Sequence, residues 1–367
     1  MGPRGRPDDG RLPTGGGAVR MARLREPLTA LVVISLPLST AVHEVALALL
    51  LAVSLAGLRT SGTGKLPWVP AAVGVALACV LGAAASGDVR EGLGQAWLLA
   101  PLVAVGAVSG RPGVHRMVRW GLAAAAAVAA IAVAQAMTGR EAVGLYSHHL
   151  SLADALVPPF AVALAERRFA LAVLLAAGVL AAGSDAAPVA LAAAAAAAWT
   201  GRTWLSLAGG AAVTLGALVS FAGANELRQR AVLWTGGLLV PPGSAGVGGY
   251  AAASAGTYDQ LSPGFWFPNH AHDNFVQLGA TLGAGGVAAM CLLVALAFRH
   301  GHRGAAAGLV GVLVGGLTQN TLGDLEVARA AWAWLAILGT SGQAGGQTPA
   351  CSSSSSSPPS PEPSTRP

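Results

Sequence analysis

The chain has 367 residues, of which 54% are hydrophobic and only 10% charged. Soluble domains carry about 25% charged residues, so this composition excludes a water-soluble globular protein. The net charge of +6 would suggest nucleic acid in a soluble chain. Here the cations sit in short loops between apolar stretches, where membrane topology accounts for them and nucleic acid is not expected as a partner.

Taken in chain order, residues 1–26 are rich in Gly, Pro and Arg and read as a disordered cytoplasmic N-terminus. Apolar stretches follow at 27–41, 43–58, 67–86, 93–109, 118–137, 150–165, 169–183, 186–200, 203–222, 274–298, 304–322 and 326–340. Each approaches the roughly 20 residues needed to cross a bilayer. The tail 341–367 holds a Ser run and Pro-rich sequence, too polar to pack a core, and reads as a disordered cytoplasmic tail. The expected fold class is therefore all-α: a polytopic helical membrane protein with about 12 transmembrane helices over 27–340. Its membrane contacts are with lipid, and abundant Ala and Gly point to helix packing through small residues.

The first two stretches are separated at Pro37 and the polar pair His43-Glu44. One helix over 27–58 would run about 48 Å, too long for a hydrocarbon core of about 30 Å. The split also settles orientation. With a cytoplasmic N-terminus, only Arg90, Arg140, Arg228, Arg230 and Arg329 fall outside, leaving 17 of the 22 Lys and Arg inside. Most acidic residues fall outside, and so does the one long connection, a large periplasmic loop at about 223–273. Other connections are mostly short, which marks this loop as the functional one.

That loop gathers Arg228, Arg230, Asp259, His270, His272, Asp273 and Asn274. A His beside a carboxylate suits general-base attack by a hydroxyl. Paired Arg suits bidentate contact with a diphosphate. The H-x-H could instead be half a metal site, but no partner segment stands out. Cys79 and Cys291 lie in apolar stretches and Cys351 in the tail, so no Cys-based cluster is built. The Gly-rich run GSAGVGGY (Gly243 to Tyr250) lacks the strand-then-helix setting of a nucleotide fingerprint and reads equally as a tight turn. A second outer segment carries Arg140, His148 and His149, with Asp154 one turn into the sixth span, where a carboxylate is costly unless it faces a polar cavity. Asp185 reads as a cap for the next helix, and Asp324 with Arg329 as a surface ion pair.

The run HAHDNFVQLGATLGAGG resembles the segment around the catalytic His of the O-antigen ligase and Wzy-type polymerase superfamily. Arg228, Arg230, Trp234 and the stretch Pro242 to Gly249 are similar to the family's upstream pattern, as is GLYSHHLSLADAL to its loop into a middle span. The resemblance is motif-specific over about 226–286. It implies a GT-C-type membrane glycan transferase in the bacterial inner membrane, acting without metal or cofactor and with inversion. The donor would be an undecaprenyl-diphosphate-linked glycan and the acceptor the hydroxyl of a glycan or glycolipid. His272 then matches the base, with His270 assisting. Arg228 or Arg230 matches the diphosphate contact, with Asp273, Asn274, His149 and Arg140 as further substrate-binding candidates. Two departures stand out: Asp273 where Asn is usual, and Ser184-Asp185 where the family often has Ser-Arg. The competing expectations are a lipid or polysaccharide transporter and an inactive scaffold of the same fold.

Overall fold

The computed structural model describes residues 15–38, 40–58, 68–104, 114–221, 224–247, 249–263 and 270–338. Residues 1–14 and the tail from 339 lie outside them. Among the described residues the chain is all-helical, with fifteen helices. In order these are α1 (Gly15–Ser35), α2 (Thr40–Leu58), α3 (Val69–Ser86), α4 (Val89–Trp97), α5 (Ala100–Ala104), α6 (Val114–Met137), α7 (His149–Ala165) and α8 (Phe169–Ala181). There follow α9 (Ala187–Thr200), α10 (Thr203–Phe221), α11 (Ala224–Leu239), α12 (Tyr250–Leu261), α13 (Asn274–His300), α14 (Arg303–Gly315) and α15 (Leu325–Leu338).

Three segments are long and apolar enough to cross a membrane by length and composition: His115–Met137, Thr203–Ser220 and Asn274–His300. Six further apolar helices run 10–17 residues. At 1.5 Å per residue, fourteen residues reach about 21 Å, short of a hydrocarbon core of about 30 Å.

The break expected near Pro37 is present as a turn at Leu36–Leu38. His43 Nδ1 meets the Val32 carbonyl at 3.0 Å, and Arg25 donates to the Val53 carbonyl at 3.4 Å. These pairings run in opposite sequence directions, so α1 and α2 form an antiparallel hairpin. Other expectations need correction. α1 begins at Gly15, inside the segment 1–26 read as disordered, because Ala18 to Leu24 are good helix formers. The stretch 93–109 is not one helix: α4 ends at Trp97, a turn at Leu98 and Leu99 leads into α5, and residues 105–113 lie outside the described part. The long connection at 223–273 is largely helical, carrying α11 and α12.

The interior is built on α7 and α14. Ser151 to Ala163 of α7 and Gly304 to Gly315 of α14 are buried all round, as expected of helices apolar on every face. Glycines let the two helices touch. A Cβ on Gly308 would stand 2.6 Å from Pro158 Cα, and one on Gly304 2.8 Å from Val162 Cα. This is the close small-residue packing that the composition suggested. By contrast α10 carries Trp204, Leu205, Val213 and Val219 on an exposed apolar face.

α3 and α13 pair antiparallel, since Gly82 faces Thr281, Gly286 faces Ala78 and Gly74 faces Ala289. Between those levels α13 is broken at Gly283, whose φ of 65° and ψ of −172° leave the helical region. The break frees carbonyls, and the Gly-rich run takes them: Gly243 N–H donates to Gly279 O at 3.1 Å and Ala245 N–H to Ala280 O at 3.3 Å. A Cβ on Gly283 would lie 3.3 Å from Gly243 Cα, and Gly243 itself has φ of 77°. The start of the run, Gly243 to Ala245, is thus a turn that repairs a broken helix, while Gly248 lies outside the described residues.

The two ends of the bundle differ in charge. One end collects Arg116, Arg119, Arg167, Arg168, Arg202, Arg299 and Arg303, with His302 in Coulombic reach of Glu166 and His115. The opposite end, where α7, α9, α13 and α15 begin, carries Glu44, Glu141, Asp273, Asp324 and Glu326.

The α7–α14 contact is directly testable. Replacing Gly308 by Val should destabilise the protein by about 1–3 kcal/mol through overpacking. Gly209→Ala on α10, where nothing lies within 4 Å, should leave stability unchanged or raise it. Thermal unfolding of both variants in one detergent measures the difference.

Candidate functional site

The acidic end holds a continuous polar cluster, positioned by helix starts. Asp273 is the N-cap of α13, accepting from the Phe275 and Val276 N–H groups at 2.7 and 2.9 Å. Asp324 does the same for α15, accepting from Glu326 and Val327 N–H at 2.9 and 3.2 Å. Asn274 joins these two starts. Its Nδ2 donates to Thr321 Oγ1 at 2.7 Å, its Oδ1 accepts from Leu322 N–H at 2.9 Å, and its own N–H donates to Gly316 O at 2.7 Å. At 1% exposure it is enclosed, so the protein itself uses the amide that was expected to meet substrate.

This frame aims two imidazoles. His270 and His272 stack with ring centroids 4.3 Å apart. His272 sits at φ of 51°, a left-handed backbone that costs a non-Gly residue energy and is worth explaining at a candidate site. It is forced there because the chain must turn from Ala271 into the Asp273 cap. Ala271 N–H is itself held by Gln277 Oε1 at 2.8 Å. Burial first, then His270 and Arg230, push the His272 imidazole down to about 4. His270 is also lowered, chiefly by burial, with Asp324 opposing the shift. Both rings are therefore neutral at neutral pH.

Arg230 on α11 donates through Nη1 to the Thr318 carbonyl in the turn after α14. That anchors a guanidinium close to His272. Arg228 does not join it: two residues apart on a helix means about 200° of rotation, and Arg228 is exposed. The paired-Arg clamp is thus replaced by one anchored Arg. His149 is engaged by Glu141 at 2.7 Å and stacks on His148 at 4.2 Å. Arg140 is exposed on the same connection. Neither His149 nor Arg140 contacts His272 among the described residues. They sit beside the cluster, which Ser147 and Ser151 reach by donating to Glu326 at 3.3 Å and Asp324 at 2.6 Å.

Asp324 does more than its place in the sequence suggests. It caps α15, bonds Ser151 and lies in Coulombic reach of both His270 and Asp154. Its signal was local: an Asp two residues before Glu, at the start of the last apolar run. Nor is Asp324 the partner of Arg329. Arg329 is buried and pairs with Glu44, which also accepts from Trp97 Nε1 at 2.5 Å. Asp185 is exposed and does not cap α9, whose N-cap is Ala186 without a side-chain bond. Asp154 is buried, with Oδ1 unpartnered among the described residues.

Beside His270 opens a cavity of about 230 Å³, bounded by α3, α4, α13, α15 and the start of α12. Among the described residues no group of three or more His, Cys, Asp or Glu is arranged to hold a metal ion. Neither a family model nor a curated protein matches the chain. What the fold and site define is a protein all-helical among the described residues, with three helices long and apolar enough to cross a membrane and a polar, His-bearing cluster at one end.

The depressed His272 imidazole has a consequence for stability. The unfolded side chain binds its proton near pH 6.5, while the folded one stays neutral down to about 4. Protons therefore favour the unfolded state, and stability falls as pH drops from 6.5 towards 4. His272→Asn, which tolerates a left-handed backbone, should flatten that acid-side loss. Thermal unfolding at stepped pH in this window compares the two proteins.

Proposed function

We propose that this protein is a multi-pass membrane glycan transferase of the O-antigen ligase or polymerase type, working at the periplasmic face of the bacterial inner membrane. It moves an undecaprenyl-diphosphate-linked glycan onto an acceptor sugar hydroxyl in surface-polysaccharide assembly. The observation that carries this reading is the stacked His270–His272 pair held next to the anchored Arg230 at the mouth of a cavity. The twelve-span topology belongs to the same reading. It is supported by the excess of Arg at one end of the bundle and of carboxylates at the other.

Each group has a task in this reaction. The acceptor hydroxyl must lose a proton as it attacks the anomeric carbon, and neutral His272 takes it. Arg230 offsets charge on the departing diphosphate. An arriving diphosphate also raises the affinity of His272 for a proton, strengthening the base at the moment of use. Asp324, near His270, stabilises positive charge on the imidazole pair.

A transporter has one observation in its favour, the helix broken at Gly283 with a buried carboxylate, Asp154, elsewhere in the bundle. Broken helices mark binding sites in secondary transporters. Reconstituted vesicles separate the readings, since a transporter moves lipid-linked glycan across the bilayer without forming a new glycosidic bond.

For the transferase, His272→Asn should cost about 10²–10⁴-fold in transfer rate, the range for losing an acid–base group. Arg230→Lys should also lose activity, because an ammonium lacks the planar fork. Arg228→Ala should be much milder. Purified protein with a lipid-diphosphate glycan provides the assay, and full transfer by His272→Asn overturns the assignment. Topology has its own check: reporters fused after Arg168 and Arg303 should read cytoplasmic, and those near Asp259 periplasmic.

A further inference from the structure

The cavity beside His270 is graded along its depth. α3 and α13 run antiparallel, so Gln277 and Thr281 stand at the level of Gly82, while Val75 and Met290 lie two turns further in near the Gly74–Ala289 contact. α4 returns alongside α3, because Gly92 packs against Ala83 and Cys79. That places Glu91 and Gln95 towards the polar mouth and Leu98 and Leu99 deeper. Trp332, two turns into α15, belongs to the apolar part. The mouth is polar and the floor is apolar.

The polar groups have spare capacity of a particular kind. Gln277 spends Oε1 on Ala271 N–H, leaving its Nε2 donors. Gln95 donates to Glu91 Oε1 at 3.0 Å, leaving the Gln95 Oε1 and Glu91 Oε2 acceptors. The Asn320 side chain has no hydrogen-bond partner among the described residues and offers both donors and an acceptor. Among the described residues no Lys or Arg lines the cavity. Hydroxyl groups, each donor and acceptor at once, match such a mixed set. A phosphate or carboxylate does not, since it needs donors alone and would meet Glu91. At about 230 Å³ the cavity is below the roughly 300–1,000 Å³ of pockets that enclose drug-sized ligands, so it holds about one ring and part of a chain.

We propose that this cavity binds an uncharged, hydroxyl-rich headgroup, a single sugar ring, joined to an apolar chain, and that Glu91 makes it select against anionic headgroups. Its identity as the acceptor end of the transfer site rests on the function proposed above. The binding preference itself rests only on the lining. The donor's diphosphate then belongs with Arg230 beside His272, and the cavity presents a neutral sugar hydroxyl to the stacked His pair, whose His272 takes the proton.

The probe is octyl β-D-glucopyranoside carrying a diazirine on its chain, photolysed with the full chain in lipid nanodiscs. Crosslinks should fall on the α3 and α13 peptides around Val75 and Met290. Unlabelled octyl glucoside should compete about tenfold better than octyl glucuronide, which differs only by a carboxylate, as one repulsive contact of about 1.4 kcal/mol requires. Glu91→Gln, an exposed and isosteric change, should largely remove that discrimination, and Asn320→Leu should weaken glucoside competition without affecting octanol. Several results overturn the proposal: glucuronide competing equally with glucoside, octanol competing as well as glucoside, octylammonium competing best, or crosslinks spread over the exposed face of α10. Selective glucoside binding in a protein that transfers no glycan would overturn the proposed reaction while leaving this site in place.

Discussion

The amide of Asn274 is bonded at both ends to the turn between α14 and α15, and its backbone N–H to the end of α14. A Cβ on Gly316 would collide with that amide, so the contact leaves no room for adjustment. Three helix termini are thereby fixed to one another. Asp273 and Asp324, as caps of α13 and α15, inherit their relative positions from this clamp. His270 and His272, which directly precede it, are held with them. A buried amide bonded through both its nitrogen and its oxygen is stiff, because breaking one bond leaves a desolvated polar group at a cost of about 1–3 kcal/mol. In the proposed reaction, rigid placement of this kind is what proton transfer requires of the base.

A second constraint is electrostatic. Buried charge is tolerated only when paired or hydrogen-bonded. The acidic end obeys this by distributing carboxylates over helix N-termini, where Asp273 and Asp324 meet N–H groups and the helix dipole. Glu44 obeys it differently, sharing its oxygens between Arg329 and Trp97. The imidazoles respond by staying neutral, as burial and the Arg230 guanidinium both disfavour a proton on His272. A site assembled this way keeps its cation, Arg230, beside His272, while His270 lines the cavity. Among the described residues no Lys or Arg lines that cavity. Under the binding preference proposed above, that asymmetry separates an anionic ligand from an uncharged one.

The broken helix links fold and site. The turn at Gly243 caps carbonyls released at Gly283, so the segment between α11 and α12 is stitched into the bundle rather than lying over it. Val247 and Tyr250, which follow that turn, form part of the cavity wall. The same device therefore closes a backbone hydrogen-bonding deficit in α13 and shapes the space beside His270.

The sequence by itself determined the helical, apolar character of the chain, including three helices long and apolar enough to cross a membrane, because low charge and runs of apolar residues near bilayer length are additive and local. It also located the turn near Pro37 and the polar segment holding His270 and His272. Pairings between distant residues were beyond it. Arg329 was read with Asp324, five positions away, whereas it pairs with Glu44, 285 positions away in the chain. Arg228 and Arg230 look like a pair when written in a line, and only a helix at 224–239 turns them apart. Asn274 reads as a free polar residue until Thr321 and Leu322 are brought against it. Glu91, Gln95, Gln277 and Asn320 carry no local motif at all, and the tertiary fold alone places them around one cavity. Composition and periodicity report what each segment needs from its solvent, while the partner of a polar side chain depends on which helices the packing brings together.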